Sequence, residues 1–153
     1  MTPYENAVAR LADGLGMEIA VADDHVCEIA VEGRAVMLRP LDEEETTLTM
    51  FAPVATAPEG AALPAEALEK ALAMDLFGSE TLGGHIGLFV DALILSSPAI
   101  VAEGLDAETF AEKLLVFSRL AGETEQKLAS PVDGGEDAGE ATAPITGSGF
   151  IAV

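Results

Sequence analysis

Apolar residues recur every three or four positions in three segments of the chain, and this spacing predicts three amphipathic helices. The first covers residues 3–15. The second begins at Pro64, a residue suited to a first helical turn, and continues through the segment AEALEKALAMDLF. The third covers residues 106–128, with Asp106 as its N-cap. Two stretches with a different period lie between these helices.

Between the first two helices, apolar and polar residues alternate, which is the pattern of half-buried strands. It is found in MEIAV, HVCEIAVE, RAVMLRPL and TTLTMFAPV, which lie between residues 17 and 54. Residues 83–97 alternate again on either side of a turn predicted at Asp91 and Ala92. The predicted order is α-β-β-β-α-β-β-α, with a fourth strand possible in the first group. Helices segregated from an antiparallel sheet define an α+β fold.

The composition changes after the third helix and predicts a boundary there. We expect one domain over residues 1–129 and an appended tail over residues 130–153. The tail is rich in Gly, Ala, Asp and Glu, a composition typical of flexible segments. Its last four residues, FIAV, are apolar again, which suits them to dock against another surface.

The charge and hydropathy of the chain limit the kinds of molecule that it can bind. Half of the residues are hydrophobic, which is ample for a packed core, yet the formal net charge is −20. Such a surface repels nucleic acid and anionic lipid headgroups. The single cysteine, Cys27, excludes an intramolecular disulfide. With neither a signal-peptide pattern nor an apolar run of about 20 residues, we expect a cytoplasmic protein that does not insert into membranes.

The sequence contains only weak matches to the motifs of metal, nucleophile and phosphate sites. We therefore predict no catalytic residue, no metal site and no cofactor. His25 and Cys27 are two residues apart, but no further ligand has a spacing typical of zinc sites. Ser79, Ser96 and Ser97 lie near His85 in the sequence, without the motif of a nucleophile elbow. The segment LGGHIG lacks the lysine of a phosphate loop and follows a helix instead of preceding one. Its glycines are therefore expected to serve backbone packing.

Two segments carry a family resemblance. They are LEKALAMDLFGSETLGGHIGLFVDALILS, residues 68–96, and LADGLGMEIAVADDHVCEIAVEG, residues 11–33. Together with the order of elements, they make the chain similar to the class I type III secretion chaperones, the Tir chaperone or CesT-like family. Asp75 stands where the family commonly has Asn, and Leu82 interrupts the usual Thr-Gly-Gly turn.

The resemblance implies a cytoplasmic homodimer without enzymatic activity, which binds the extended N-terminal segment of a secreted effector and keeps it soluble. It implies dimer contacts through the second helix and the strand after it, at Leu72, Leu76, Ile86, Gly87, Leu88 and Phe89. Effector grooves are expected between the first helix and the first strands, at Val8, Leu11, Val36, Leu38, Met50 and Phe51. Two alternatives stay open: a non-secretion regulator of the same fold, similar to the YbjN-like proteins, and a small enzyme with paired carboxylates.

Overall fold

A computed structural model describes residues 1–129, so the predicted tail over 130–153 and its FIAV end lie outside the described residues. Three helices and one antiparallel sheet form the fold, which confirms the α+β prediction and its order of elements. The elements are α1 (Pro3–Leu15), β1 (Cys27–Val31), β2 (Arg34–Pro40), β3 (Thr47–Thr56), α2 (Ala65–Asp75), β4 (His85–Phe89), β5 (Ala92–Ser96), β6 (Ile100–Val101) and α3 (Ala107–Ala129).

The first helix is fixed at both ends by local chemistry. The Thr2 hydroxyl accepts the backbone N–H of Glu5, and the Glu5 carboxylate accepts the backbone N–H of Thr2, which is a capping box. Gly16 ends the helix in the left-handed conformation. Near this end, a Cβ on Gly14 would lie 2.7 Å from the Cβ of Ala107, so glycine allows α1 to approach the start of α3.

The sheet has the strand order β1-β2-β3-β5-β4, with β6 pairing with the start of β3. β1 and β4 are therefore the outer strands of the main path. The strand register sets which side chains share a face, since directly opposed residues point to the same side. Met37, Phe51, Ser96 and His85 form one such row across β2, β3, β5 and β4.

The core lies on the other face of the sheet. Cys27, Leu38 and Met50 form a row there, and all three are buried. α3 packs along β3 and against α1, and α2 lies beside β4 and α3. Phe110, Leu114, Phe117 and Ala121 supply the buried stripe of α3, as the spacing predicts.

Three details differ from the predictions. MEIAV, residues 17–21, is not a strand: only Val21 forms a bridge, to Cys27, because the rest of the segment has no strand beside it. The turn between β4 and β5 is formed by Val90 and Asp91, one residue earlier than expected. β6 is two residues long, too short for an alternation pattern to show it.

The core-facing side of α2 consists of Ala67, Ala71 and Met74. The leucine face of the helix points away from it, with Leu72 73% exposed and Leu76 68% exposed. Large apolar side chains on an outward helix face mark a surface suited to a partner.

Candidate partner-binding groove and exposed helix face

The glycine-rich segment between α2 and β4 is a tight structural turn. The Gly83 N–H donates to the Gly78 carbonyl at 2.7 Å, and the buried Thr81 hydroxyl donates to the Gly84 carbonyl at 2.8 Å. Asp75, at the end of α2, accepts the backbone N–H of Ile86 at 2.8 Å. The turn thus uses its polar groups internally, to fix where β4 begins.

His25 and Cys27 do not meet. The buried Cys27 thiol lies 3.1 Å from the Tyr4 hydroxyl, whereas His25 is exposed and its imidazole contacts the carboxylate of Glu45. Glu5, His25 and Glu45 each offer one atom that could bind a metal ion, and these three atoms lie within 4.8 Å of one another. Their contacts secure the start of α1, because the Thr2 hydroxyl donates to Glu45 and the Tyr4 N–H donates to the Glu45 carbonyl.

Burial changes the ionisation of two groups in this part of the core. Desolvation raises the pKa of Tyr4 far above its ordinary value, and the contact with the Cys27 thiol adds to the rise. Desolvation likewise raises the pKa of the Cys27 thiol, although the Tyr4 hydrogen bond opposes the change. Both groups are therefore neutral at physiological pH, and a neutral buried thiol is a poor nucleophile.

The serines close to His85 serve the backbone. The Ser96 hydroxyl donates to the His85 carbonyl at 3.4 Å, and the Ser97 hydroxyl accepts the N–H of Met50 at 3.0 Å. The His85 imidazole lies 3.6 Å from the Asp75 carboxylate. Among residues 1–129, this arrangement gives no serine hydroxyl a histidine base.

An apolar groove lies on the face of the sheet opposite α1 and α3. It encloses about 530 Å³ and is centred on the half-buried Phe51 of β3. Ile94 of β5 and the outer strand β4 form one wall, and Arg39 with Leu41 forms the other. We call this space the Phe51 groove; its lining residues are Arg39, Leu41, Thr49, Phe51, His85, Ile86, Gly87, Leu88, Phe89, Ile94 and Ser96.

The predicted effector-binding residues fall into two groups. Val8, Leu11, Val36, Leu38 and Met50 are buried between the sheet and the helices, with at most 4% of each exposed. The core fills most of the space between α1 and the sheet, although Val8 also lines a cavity of about 250 Å³ between α1 and Ile19. Phe51 points to the face of the sheet opposite the helices, and part of its side chain is accessible. Of the six predicted effector-binding residues, it is therefore the one best placed to contact a partner.

The predicted dimer residues lie at or near the surface. Leu72 and Leu76 are exposed on α2, and Leu88 and Phe89 are exposed on β4, whereas Ile86 is half-buried. Nothing lies within 4 Å of a Cβ added to Gly87, so the space beside this strand is open in one copy of the chain. These residues form an apolar border along α2 and β4, and their contact with a second copy stays a prediction.

Sequence reasoning missed Arg39, Leu41 and Ile94 as groove residues. Ile94 could have been found, because it alternates with the buried Leu93 and Leu95 and must face the opposite side. Arg39 could not, because its place beside Phe51 depends on the register between β2 and β3, in which Arg39 opposes Thr49.

Comparison with known proteins shows which solved structures have a similar fold. Over the described part of the chain, no helix is long and apolar enough to cross a membrane. A search of curated protein sequences finds no match. Several solved structures match, and the three described below have identities under 20%, which show likeness of fold alone.

The structure of the Yersinia pestis type III secretion chaperone SycH, in complex with a stable fragment of YscM2, matches with a TM-score of 0.56 and 19% identity over 79% of this chain and 98% of that one. The HopA1–SchA chaperone–effector complex matches with a TM-score of 0.58 and 17% identity over 81% and 94%. The ExsC–ExsE complex matches with a TM-score of 0.63 and 18% identity over 85% and 100%.

A family model assigns the chain to a family, which the solved structures of low sequence identity do not do by themselves. The model describes the Tir chaperone protein (CesT) family and matches residues 6–124, from the first turns of α1 to the last turns of α3. It includes both the Phe51 groove and the exposed face of α2. This chain belongs to the Tir chaperone (CesT) family.

Proposed function

We propose that this protein is a cytoplasmic type III secretion chaperone that binds an extended segment near the N-terminus of a secreted effector, through the Phe51 groove. The observation that carries the proposal is the position of Phe51, a half-buried aromatic side chain that faces an apolar cavity of about 530 Å³ and not the core. Aromatic side chains in such pockets are frequent anchors of protein interfaces.

The groove suits an extended chain better than a folded surface. Side chains two residues apart in an extended segment point to the same side, so alternate apolar residues of an effector can enter the groove while the others stay in water. The outer strand β4 forms one wall, and an outer strand carries backbone groups able to pair with an added strand. Binding of this kind keeps apolar effector segments from aggregating and consumes no nucleotide.

The partners named for related structures support the same proposal. SycH was solved with a fragment of YscM2, and HopA1 and SchA were solved together as a chaperone–effector complex. The acidic surface of this chain adds solubility to a complex whose partner exposes apolar residues, because a net charge of −20 opposes association with other copies of the complex.

We also propose that two copies associate through the exposed border of α2 and β4. Leu72 near the end of α2, and Leu76 and Phe77 just after it, each expose at least two thirds of their surface. Leu88 and Phe89 continue the apolar surface on β4. Covering these side chains would remove apolar area from water, which is the main favourable term in association. Leu88 and Phe89 also line the Phe51 groove, so in such a dimer each groove would lie directly beside the contact between the two copies.

The test is a pull-down of the tagged protein from its native host, followed by limited proteolysis and mass spectrometry of the captured partner. We expect a secreted protein whose protected piece is a short segment near its N-terminus. Phe51→Ala is the matched variant and should lose this partner while folding normally. Recovery of a folded cytosolic protein that is retained by Phe51→Ala would contradict the proposal and favour the YbjN-like regulatory role.

A further inference from the structure

Basic groups are scarce in this chain, and most of them have a partner. Of the seven, five bond to carboxylates or carbonyls, and the ion pairs are Arg34 with Glu125, Arg119 with Glu32, and Lys127 with Glu80. Arg39 and Lys113 have no hydrogen bond or ion pair among residues 1–129. Arg39 is exposed, so its guanidinium is accessible to a carboxylate of a partner.

Arg39 is exposed on the same face of the sheet as Phe51, and Glu28 of β1 stands one row away, opposite Met37. Arg39 lines the Phe51 groove, and no aspartate or glutamate of the described chain lines that groove with it. The other ionisable group there is His85, on the opposite wall. Lys113 differs: the cavity it lines, between α3 and residues 97–100, also includes Glu112. The Phe51 groove is therefore apolar with a basic edge, on a protein that is acidic elsewhere.

We propose that the Phe51 groove selects a segment in which an aspartate or glutamate stands beside an apolar residue, so that the carboxylate pairs with Arg39 while the apolar side chain packs on Phe51. This inference rests on the proposed function and adds the chemistry of the bound segment. A guanidinium presents a planar set of donors that fits a carboxylate with two parallel hydrogen bonds.

The pairing provides selection as well as attraction. The rest of the surface is strongly acidic and repels acidic peptides, so a carboxylate is tolerated only where a cation faces it. An apolar segment without the acid can enter the groove but leaves Arg39 without a partner. A segment with a basic residue at that position meets Arg39 as a like charge, which disfavours it.

The test is a selection of random dodecapeptides by display on the full chain. We expect Asp or Glu to be enriched at one position beside an apolar residue in the peptides bound by the wild type. Arg39→Glu should select Lys or Arg at that position instead. Peptides selected on the wild type should bind Arg39→Gln about two- to five-fold more weakly, as for a partly exposed ion pair.

Lys113→Glu is the matched control, since it changes the net charge by the same amount in a different cavity. It should keep the wild-type preference for acidic peptides. Four outcomes would overturn the inference: no enriched peptides, the same preference in the wild type and Arg39→Glu, an equal change in Lys113→Glu, or a change of oligomeric mass in Arg39→Glu, which would place a second copy in the groove.

The selection is independent of the effector pull-down. If the pull-down finds no secreted protein but the charge preference follows Arg39, the proposed chaperone function fails and the groove chemistry stands. If an effector segment is captured but the preference does not follow Arg39, the chaperone function stands and this inference fails.

Discussion

Gly84 lies so close to Ser96 that a Cβ on the glycine would stand 2.1 Å from the Ser96 carbonyl oxygen. Backbone contacts of this kind cannot be relieved by rotating a side chain. The next residue, His85, starts β4 and is paired with Ser96 in the sheet. Gly84 thus allows the chain to enter the outer strand that forms a wall of the Phe51 groove.

Replacing Gly84 with alanine is expected to lower the free energy of unfolding by about 1–3 kcal/mol, the usual range for overpacking a filled site. Urea titration of the two proteins measures the difference. Gly122→Ala is the control: there the nearest atom is the flexible end of Arg34 at 3.4 Å, and alanine in a helix should raise stability. Equal stability of Gly84→Ala and the wild type would contradict the structure of this turn.

Replacing both Leu72 and Leu76 with glutamate should convert a dimer to a monomer without unfolding it. Both side chains are mostly exposed in one copy, so the charges cost little there but are buried without partners in a dimer. Light scattering coupled to gel filtration gives the mass. Val116→Glu, at an exposed apolar position on α3, should leave the mass unchanged. A dimer that survives the double substitution would remove α2 from the interface.

Truncating Phe51 to alanine should weaken binding of the effector segment by about ten-fold or more, because loss of a hot-spot aromatic side chain costs about 2 kcal/mol or more and each 1.4 kcal/mol is about ten-fold in affinity. Calorimetry with the protease-protected segment gives the affinity. Val101→Ala, an exposed apolar position on β6 outside the groove, should bind as the wild type does. Circular dichroism shows whether Phe51→Ala has kept the fold.

The Tyr4 hydroxyl donates to the Leu38 carbonyl at 3.0 Å in the core. Tyr4→Phe removes that donor and leaves a buried carbonyl with one bond fewer. The expected loss of stability is about 1–2 kcal/mol, measured by urea unfolding. Partner binding should not change, because Tyr4 lies on the covered side of the sheet, away from the Phe51 groove. A loss of binding larger than the loss of stability explains would contradict that separation.

The ionisation of Asp42 is expected to make the stability of the fold depend on pH. Hydrogen bonds from Thr46, and then from Thr47, hold the pKa of this carboxyl well below its usual range. A lowered pKa in the folded state means that Asp42 stabilises the fold above the ordinary aspartate pKa of about 4, and that this contribution is lost as the pH falls below it. Thermal melting should show Asp42→Asn less stable than the wild type at neutral pH, with the gap closing in acid.

Glu28→Gln, at an exposed carboxyl on β1, is the control for removing one negative charge from an acidic chain. Its difference from the wild type should not follow the pattern of Asp42→Asn. A gap for Asp42→Asn that stays constant down to strongly acidic pH would show that the hydroxyl and backbone donors do not stabilise the ionised carboxylate.

The sequence predicts those parts of the fold whose causes are local. The cap at Thr2 and the alternation of Cys27 and Ile29 depend on neighbours within a few residues, and both are found in the structure. The face of α2 is different. Regular spacing of Leu72 and Leu76 identifies an apolar face, but alanines pack more closely on β4 and α3, and only the tertiary structure shows that the leucines point outwards.

The partner-binding surface was harder to predict for the same reason. Val8 and Leu38 are apolar and correctly placed on the elements around a sheet, yet these properties equally describe a core, which is where both side chains lie. Phe51 could be distinguished because its position in the alternation is opposite to that of Met50. Arg39 lies beside Phe51 only because of the register between β2 and β3, and the sequence does not determine that register residue by residue.

The contacts of Glu45 have a consequence for synthesis of the chain on the ribosome. The start of α1 relies on Glu45, whose side chain accepts from Thr2, 43 positions earlier, and whose carbonyl accepts from Tyr4. A helix of 13 residues is marginal by itself in water. While the ribosome has exposed only the first forty residues, α1 therefore lacks the contacts that hold it. A nascent chain arrested before Glu45 should be cleaved within α1 by protease, and one arrested after β3 has emerged should be protected.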